Sequence, residues 1–129
     1  MDKSALRKQY RDARQLANPT LDFALTWMHI LATPEITAAK VVASYHSYAN
    51  EPRTDDLNQE LINMGKILLL PKVLPDLNLE WIKWSGSQDD LVKRKNFFEP
   101  KGNSIDSSEI DVVIVPALHV NRAGFRMGQ

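Results

Sequence analysis

The sequence predicts an α/β fold: an open, mostly parallel sheet flanked by helices in a Rossmann-like three-layer arrangement, preceded by a helical N-terminus. Three observations predict it. Residues 1–40 have helical apolar periodicity, residues 41–71 have a strand–helix–strand pattern, and residues 110–115 form a further β-branched apolar run. We expect residues 1–129 to form a single α/β domain.

Two amphipathic helices are expected first. The apolar stripe of the first helix has spacings of four, three and four, and consists of Leu6, Tyr10, Ala13 and Ala17. Asn18-Pro19 ends this helix, and Thr20 can cap the second. The stripe of the second helix has the same period and consists of Leu21, Ala24, Leu25, Met28 and Leu31. Thr33-Pro34 then begins a short helical turn.

A β-α-β unit follows. Residues 41–45 are β-branched and aromatic, and Thr54 with two acidic residues behind it is typical of a helix start. The inner face of that helix is predicted to consist of Leu57, Leu61 and Met64. Gly65 ends the helix, and residues 66–71 form an apolar strand that stops at Pro71. The two strands should be parallel, with a right-handed crossover.

After residue 71 the sequence predicts a less regular structure. Leu77, Leu79 and Trp81 alternate with polar residues, which indicates a half-exposed strand antiparallel to its predecessor and ending near Trp84. Residues 85–108 are polar and turn-rich, so we expect a long, partly ordered excursion. Residues 110–115 form the last strand, which Pro116 ends.

Composition excludes several function classes. Sixteen basic and sixteen acidic residues balance, so no overall field favours nucleic acid or an anionic membrane. The chain has no cysteine, no apolar signal core and no apolar run near the ~20 residues of a membrane span. We therefore expect a soluble, cytoplasmic protein with no nucleic-acid or membrane partner. Nucleophile-elbow, complete P-loop and zinc-hydrolase motifs are absent, and no histidine has metal-ligand spacing.

Polar residues follow each predicted parallel strand, where α/β proteins bind ligands. They are His46, Ser47, Tyr48, Asn50 and Glu51 after the first strand, Lys72 after the second, and His119, Asn121, Arg122, Gly124, Arg126 and Gly128 after the last. The first helix adds a basic ridge of Lys3, Arg7, Arg11 and Arg14. Ordinary polar loops and a solvated helix face explain the same patterns, so position alone does not assign a function.

Four short motifs, taken in their order along the chain, are more specific than the position of single residues. They are Lys3-x-x-Leu6-Arg7, Glu51-x-x-Thr54, Glu99-Pro100 and Pro116-x-Leu118-x-x-Asn121-x-x-Gly124-x-Arg126-Met127-Gly128. Together they resemble the 5-formyltetrahydrofolate cyclo-ligase (methenyltetrahydrofolate synthetase) family. The resemblance implies ATP- and Mg²⁺-dependent cyclisation of 5-formyltetrahydrofolate to 5,10-methenyltetrahydrofolate, with release of ADP and phosphate.

The resemblance also implies residue roles. Lys3 and Arg7 would contact ATP phosphates, and Arg126, the catalytic residue, would hold the transferring phosphoryl group. The backbone around Arg126 would complete the ATP site through Gly124, Met127 and Gly128. Glu51 would bind the folate, beside Tyr48 as an aromatic wall and Glu99 as a further contact. The Mg²⁺ ligands are left unassigned.

The final motif stops early. In the family this loop continues into further glycines and later strands and helices, whereas Gln129 is the last residue here. We therefore expect the incomplete N-terminal part of a longer cyclo-ligase domain, with C-terminal elements missing and weak or no turnover alone. We expect a monomer or weak homodimer. Two alternatives remain open. One is a non-catalytic folate- or nucleotide-binding or regulatory domain, and the other is an interaction module that docks through the basic ridge.

Overall fold

The computed structural model describes residues 2–16, 23–47, 53–94, 97–117 and 119–127. The helices in these ranges are α1 (Lys3–Leu16), α2 (Phe23–Leu31), α3 (Pro34–Ala38) and α4 (Asp55–Asn63). The strands are β1 (Val41–Ala43), β2 (Ile67–Val73), β3 (Leu79–Lys83), β4 (Leu91–Lys93), β5 (Phe98–Pro100), β6 (Ser104–Ile105), β7 (Val112–Val113), β8 (His119–Val120) and β9 (Arg126–Met127).

The main sheet of the described chain has five strands in the order β6-β3-β2-β1-β7. Strand β1 pairs in parallel with β2 and with β7. Strand β3 is antiparallel to both β2 and β6. This mixed sheet with flanking helices confirms the predicted α/β fold class, and α4 is the expected connection between parallel strands β1 and β2.

Strand β2 continues past Pro71 to Val73, so the strand end predicted at Pro71 is wrong. Trp84 N–H donates to the Leu68 carbonyl oxygen. Further along the two strands, Leu70 lies opposite Ile82 and Pro71 lies opposite Trp81. Because antiparallel hydrogen bonding alternates, the Pro71 nitrogen points away from β3 and toward β1. The pairing of β1 with β2 ends at Leu69. Pro71 has no N–H, but at this position no hydrogen bond to β1 is lost.

The main core lies on one face of this sheet. Val42, Leu68 and Leu70 pack there against helix residues, namely Trp27, Ile36, Leu57 and Leu61. Ala43 and Leu69 alternate with these strand residues, so they lie on the opposite face, and both are fully buried. Both faces of the parallel part of the sheet are therefore covered, as parallel strands require.

Two predicted core positions are wrong. Met28 is 63% exposed, because α2 turns Trp27 and Ile30 toward the core, together with Leu31, which was predicted there. Met64 is exposed because it is the residue after α4 and no longer follows the helical stripe. Gly65 has φ +81, so the left-handed helix end predicted there is confirmed.

Helix α1 is confirmed but contributes no buried residue among the side chains described over residues 2–13. Leu6 and Tyr10 are half-buried, whereas Ala13, predicted on the same stripe, is exposed. Ala17 and Thr20 lie outside the described residues. None of the helices in the described ranges is long and apolar enough to cross a membrane.

The predicted excursion over residues 85–108 is more ordered than its polarity indicates. Strands β4 and β5 form a hairpin that packs on β2, and β6 extends the main sheet beside β3. These strands are two or three residues long, too short for an alternating pattern to be visible in the sequence. Conversely, the strand predicted over residues 110–115 is reduced to β7, which forms one edge of the described sheet.

Candidate functional site

The carboxyl end of β1 is tied to the start of α4. Thr54 Oγ1 donates to the Tyr45 carbonyl oxygen over 2.7 Å and accepts from Ser47 N–H over 3.1 Å. Thr54 N–H in turn donates to Ser47 Oγ over 3.1 Å. Thr54 occupies the predicted N-cap position, but its side chain makes no capping hydrogen bond to α4. It joins the helix to the strand instead.

Asn58, one turn further along α4, strengthens the same junction. Its Nδ2 donates to the Tyr45 carbonyl oxygen over 2.9 Å. Asn58 Oδ1 and the nearby Ser44 Oγ are buried and have no hydrogen-bond partner among the described residues. Sequence analysis missed Asn58, although a polar residue between the inward-facing Leu57 and Leu61 indicates that a helix lies against a polar group.

His46 lies beside this junction in an aromatic environment. Its ring centroid is 5.3 Å from that of Phe98, with the planes inclined at 59°, and 6.2 Å from that of Trp84, edge-on at 78°. The Nδ1 atom is buried without a hydrogen-bond partner in the described part of the chain. Aromatic side chains beside an unsatisfied polar atom are features that sites for flat heterocyclic ligands share.

Asp55 faces the other side of the His46 ring. Its Oδ1 is 4.0 Å from His46 Nε2, and its Oδ2 accepts a hydrogen bond of 3.0 Å from Arg53 Nη2. The first residue of α4 thus places a negative charge next to the imidazole.

Glu99 is a buried carboxylate on β5, next to Phe98 in the chain. Arg94 Nε donates to Glu99 Oε2 over 2.9 Å, and Arg94 N–H donates to the Phe97 carbonyl oxygen, which closes the β4–β5 hairpin. Arg94 therefore neutralises and orients Glu99. Phe98 brings β5 to the carboxyl end of β1, whereas the side chain of Glu99, the next residue of the strand, points to the opposite face of β5. Sequence analysis did not single out Arg94.

The C-terminal motif forms a hairpin of β8 and β9. Asn121 organises its turn, because Asn121 Oδ1 accepts from Ala123 N–H and Phe125 N–H, each over 3.0 Å. Gly124 has φ +89, and its N–H donates to the Asn121 carbonyl oxygen over 3.1 Å. Three backbone N–H groups that could otherwise attract an anion are thus already used within the turn.

Arg126 and Met127 form β9, directly after this turn. Arg126 Nη1 donates to the Pro116 carbonyl oxygen over 3.1 Å. The guanidinium has further N–H donors, so this bond positions the group without exhausting it. Lys3 and Arg7 lie one helical turn apart on α1, Lys3 exposed and Arg7 half-buried. Tyr48, Glu51 and Gly128 lie outside the described residues.

A protein-held metal site is not evident. Within the described ranges, no three histidine, aspartate or glutamate side chains are grouped to hold an ion. Mg²⁺ commonly binds through substrate phosphates and water with only one or two carboxylates. The described residues therefore do not fit a dedicated Mg²⁺ cage, and no step proposed below depends on one.

Two carboxylates away from this site have lowered pKa values. Hydrogen bonds from the Val41 and Lys40 N–H groups lower the pKa of Asp111. Hydrogen bonds from the Ser108 backbone and side chain lower the pKa of Asp106. Asp111 lies at the amino ends of β1 and β7, opposite the candidate site, so its role is structural.

These features define a class. A mixed α/β sheet with polar and aromatic side chains gathered beyond the carboxyl end of its central parallel strand is typical of proteins that bind small ligands at that edge. The model of the 5-formyltetrahydrofolate cyclo-ligase family matches residues 1–129. The chain belongs to this family, which confirms the resemblance found in its motifs.

Solved structures agree. The NMR structure of Aquifex aeolicus 5,10-methenyltetrahydrofolate synthetase is 26% identical, with a TM-score of 0.84 over 100% of this chain and 68% of that chain. A 5,10-methenyltetrahydrofolate synthetase from Mycoplasma pneumoniae is 23% identical, with a TM-score of 0.69 over 99% of this chain and 71% of that chain. The second likeness supports the fold alone. A search of curated proteins found no significant match.

Proposed function

We propose that this protein cyclises 5-formyltetrahydrofolate to 5,10-methenyltetrahydrofolate and converts ATP to ADP and phosphate. The observation that carries the proposal is the family match over residues 1–129, combined with an aromatic and polar site at the carboxyl end of β1. The family supplies the reaction, and the described residues supply a place for the folate.

The folate site that we propose lies where β1 and β5 meet. The partly exposed Phe98 offers apolar surface to a pterin ring, and Glu99 is proposed to offer a carboxylate that accepts hydrogen bonds from amino and ring N–H groups. Glu51 and Tyr48, predicted in the same site, follow His46 closely in the sequence. Arg94 orients the Glu99 carboxylate by donating to its Oε2 atom.

The ATP phosphates would be held by cations. Lys3, Arg7 and Arg126 are the candidates, with the backbone around Gly124, Met127 and Gly128. Phosphoryl transfer needs charge neutralisation and alignment more than a protein nucleophile, so a site of cations and backbone donors suits it. Mg²⁺ would neutralise phosphate charge when it is bound with ATP.

The proposed reaction has two steps. The formyl oxygen of the substrate attacks the γ-phosphorus of ATP, and ADP leaves. The N10 nitrogen then attacks the activated formyl carbon, the bond from carbon to the phosphorylated oxygen breaks, and N10 loses its proton as phosphate departs. Arg126 would stabilise the charge on the transferring phosphoryl group.

The test is formation of the methenyl chromophore with protein in molar excess over the folate, so that slow turnover is visible. We expect absorbance to rise only when ATP, Mg²⁺ and 5-formyltetrahydrofolate are all present. Arg126→Gln should slow the reaction by about 100-fold or more, whereas Arg122→Gln in the same hairpin turn should change it little. Because weak turnover is expected from this chain alone, absence of both the chromophore and any binding of 5-formyltetrahydrofolate or ATP would contradict the proposal.

A second candidate function is folate or nucleotide binding without catalysis. One observation favours it: the N–H groups of Ala123, Gly124 and Phe125 are already bonded to Asn121, and Arg126 contacts Pro116. Saturable binding of 5-formyltetrahydrofolate without ATP-dependent chromophore would select this function. In either case we propose a cytoplasmic protein that acts as a monomer or weak homodimer.

A further inference from the structure

We infer that His46 determines how the reduced pterin binds, with Nδ1 accepting a hydrogen bond from one of its N–H groups. The inference rests on the proposed function, since it assigns a contact within the proposed folate site. Three observations support it. The Nδ1 atom is buried without a partner among the described residues, the rings of Phe98 and Trp84 contact the imidazole, and the Asp55 carboxylate lies nearest Nε2.

His46 lies between the end of β1 and strand β5. It follows β1 by three residues, and its ring meets Phe98, the neighbour of Glu99 on β5. A ligand bound against Phe98 at this edge of the sheet is therefore close to the imidazole. Trp84 supports the ring from the core and is itself held by a hydrogen bond of 2.8 Å from its Nε1 to the Ser87 carbonyl oxygen.

The carboxylate of Asp55 lies on the Nε2 side of the imidazole. Asp55 Oδ1 is on the Nε2 side at 4.0 Å, and Arg53 holds the other carboxylate oxygen. In the proposed complex the ring proton is on Nε2, on the side of Asp55, and the lone pair of Nδ1 accepts from the ligand. The reduced pterin carries an exocyclic 2-amino group and ring N–H groups, so it offers suitable donors.

For a pterin to reach the buried Nδ1 atom, one of the neighbouring rings must move. Trp84 is 7% exposed and belongs to the core, whereas Phe98 is 38% exposed, so of these two rings only Phe98 can rotate without unpacking the core. A ring that replaces Phe98 against the imidazole would keep the aromatic contact. It would also give Nδ1 a hydrogen bond, and the burial of such an atom without a partner is costly.

The first measurement uses the unaltered protein. Titration of ¹⁵N-histidine-labelled protein with 5-formyltetrahydrofolate should shift the His46 Nδ1 resonance, with the other two of the three histidines as internal references. An unchanged His46 Nδ1 resonance at saturating folate would overturn the inference.

Three variants test the assignment of the atom. The amide of His46→Asn can place an acceptor near the Nδ1 position, that of His46→Gln lies nearer Nε2, and His46→Leu has no acceptor. We expect the Kd for 5-formyltetrahydrofolate to rise about tenfold in His46→Gln and His46→Leu and much less in His46→Asn. The Kd for ATP should be unchanged in all three.

The outcomes separate the two claims. If the unaltered protein does not bind 5-formyltetrahydrofolate, the proposed function fails, and the inference fails with it. If it binds but His46→Leu binds equally well, only the inference is overturned. If all three variants lose folate affinity in proportion to lost thermal stability, His46 is a packing residue and the inference is again wrong.

Discussion

Thr54 Oγ1 donates a hydrogen bond of 2.7 Å to the carbonyl oxygen of Tyr45. This bond connects the first turn of α4 to the end of β1, and the Ser47–Thr54 backbone and side-chain pair closes the same junction. The side chains proposed to contact folate lie around this junction, so its stability and the geometry of the site should change together.

We first predict the effect of removing the Thr54 hydroxyl. Thr54→Val keeps the shape of this fully buried side chain but loses both of its hydrogen bonds, so it should lower the free energy of unfolding by about 1–3 kcal/mol. Urea denaturation measures the change. Thr54→Ser is the control, because it keeps the hydroxyl and loses a methyl group. A Thr54→Val protein as stable as the unaltered one would show that the junction contributes little.

The Arg94–Glu99 pair gives a second prediction. Arg94→Met leaves the buried Glu99 carboxylate without its cation and should destabilise the fold by about 1–3 kcal/mol. Because Glu99→Gln removes that charge, the double variant should recover part of the loss. A double-mutant cycle on unfolding free energies measures the coupling, and strict additivity of the two changes would contradict the pairing.

Asp111 gives a prediction about pH. Its Oδ2 accepts from Lys40 N–H and Val41 N–H, each over 2.9 Å, and its pKa is lowered from 3.8 in the folded protein. The ionised form is therefore favoured by folding, so its stabilisation is complete above the unfolded pKa and is lost as pH falls through the folded pKa.

The measurement is the urea midpoint followed from about pH 6 down to about pH 3. Asp111→Asn should be less stable than the unaltered protein at the upper end and should lose less stability on acidification. The two curves should approach each other at the acidic end. Parallel curves would mean that the Asp111 carboxylate does not contribute to the acid dependence.

Two glycines allow a test of backbone conformation. A Cβ on Gly65, at φ +81, would meet no atom within 4 Å, whereas a Cβ on Gly86, at φ +95, would lie 3.1 Å from Ile62 Cδ1. Gly65→Ala should cost about 1–2 kcal/mol from strain alone, and Gly86→Ala should cost more because Ile62 must also move. Gly65→Asn should be milder than Gly65→Ala. Thermal unfolding of the three variants checks this order.

Sequence patterns are sufficient where structure is local. The β-α-β unit and the end of α4 at Gly65 follow from periodicity and residue conformation alone. The position of His46 beyond a parallel strand is also predictable. Each of these depends on neighbours in the chain or on the general construction of α/β sheets.

The pairings across the fold are not predictable in this way. Arg94 meets Glu99 only because of the β4–β5 register, and two short strands in a polar segment do not reveal a register in the sequence. Thr54 has the sequence context of an N-cap, yet its hydroxyl bonds to Tyr45 because the packing of α4 brings that carbonyl oxygen within reach. Tertiary contacts decide both cases.

The most direct test of the folate site is an amide NMR titration of this 14.7 kDa protein with 5-formyltetrahydrofolate. We predict saturable shifts concentrated at Ser44, His46, Ser47 and Thr54 and at Phe98 and Glu99, where β1, α4 and β5 meet. Lys40, Ile67 and Asp111, at the opposite end of the sheet, are the reference positions. Shifts concentrated at those reference positions, or none at saturating folate, would contradict the account.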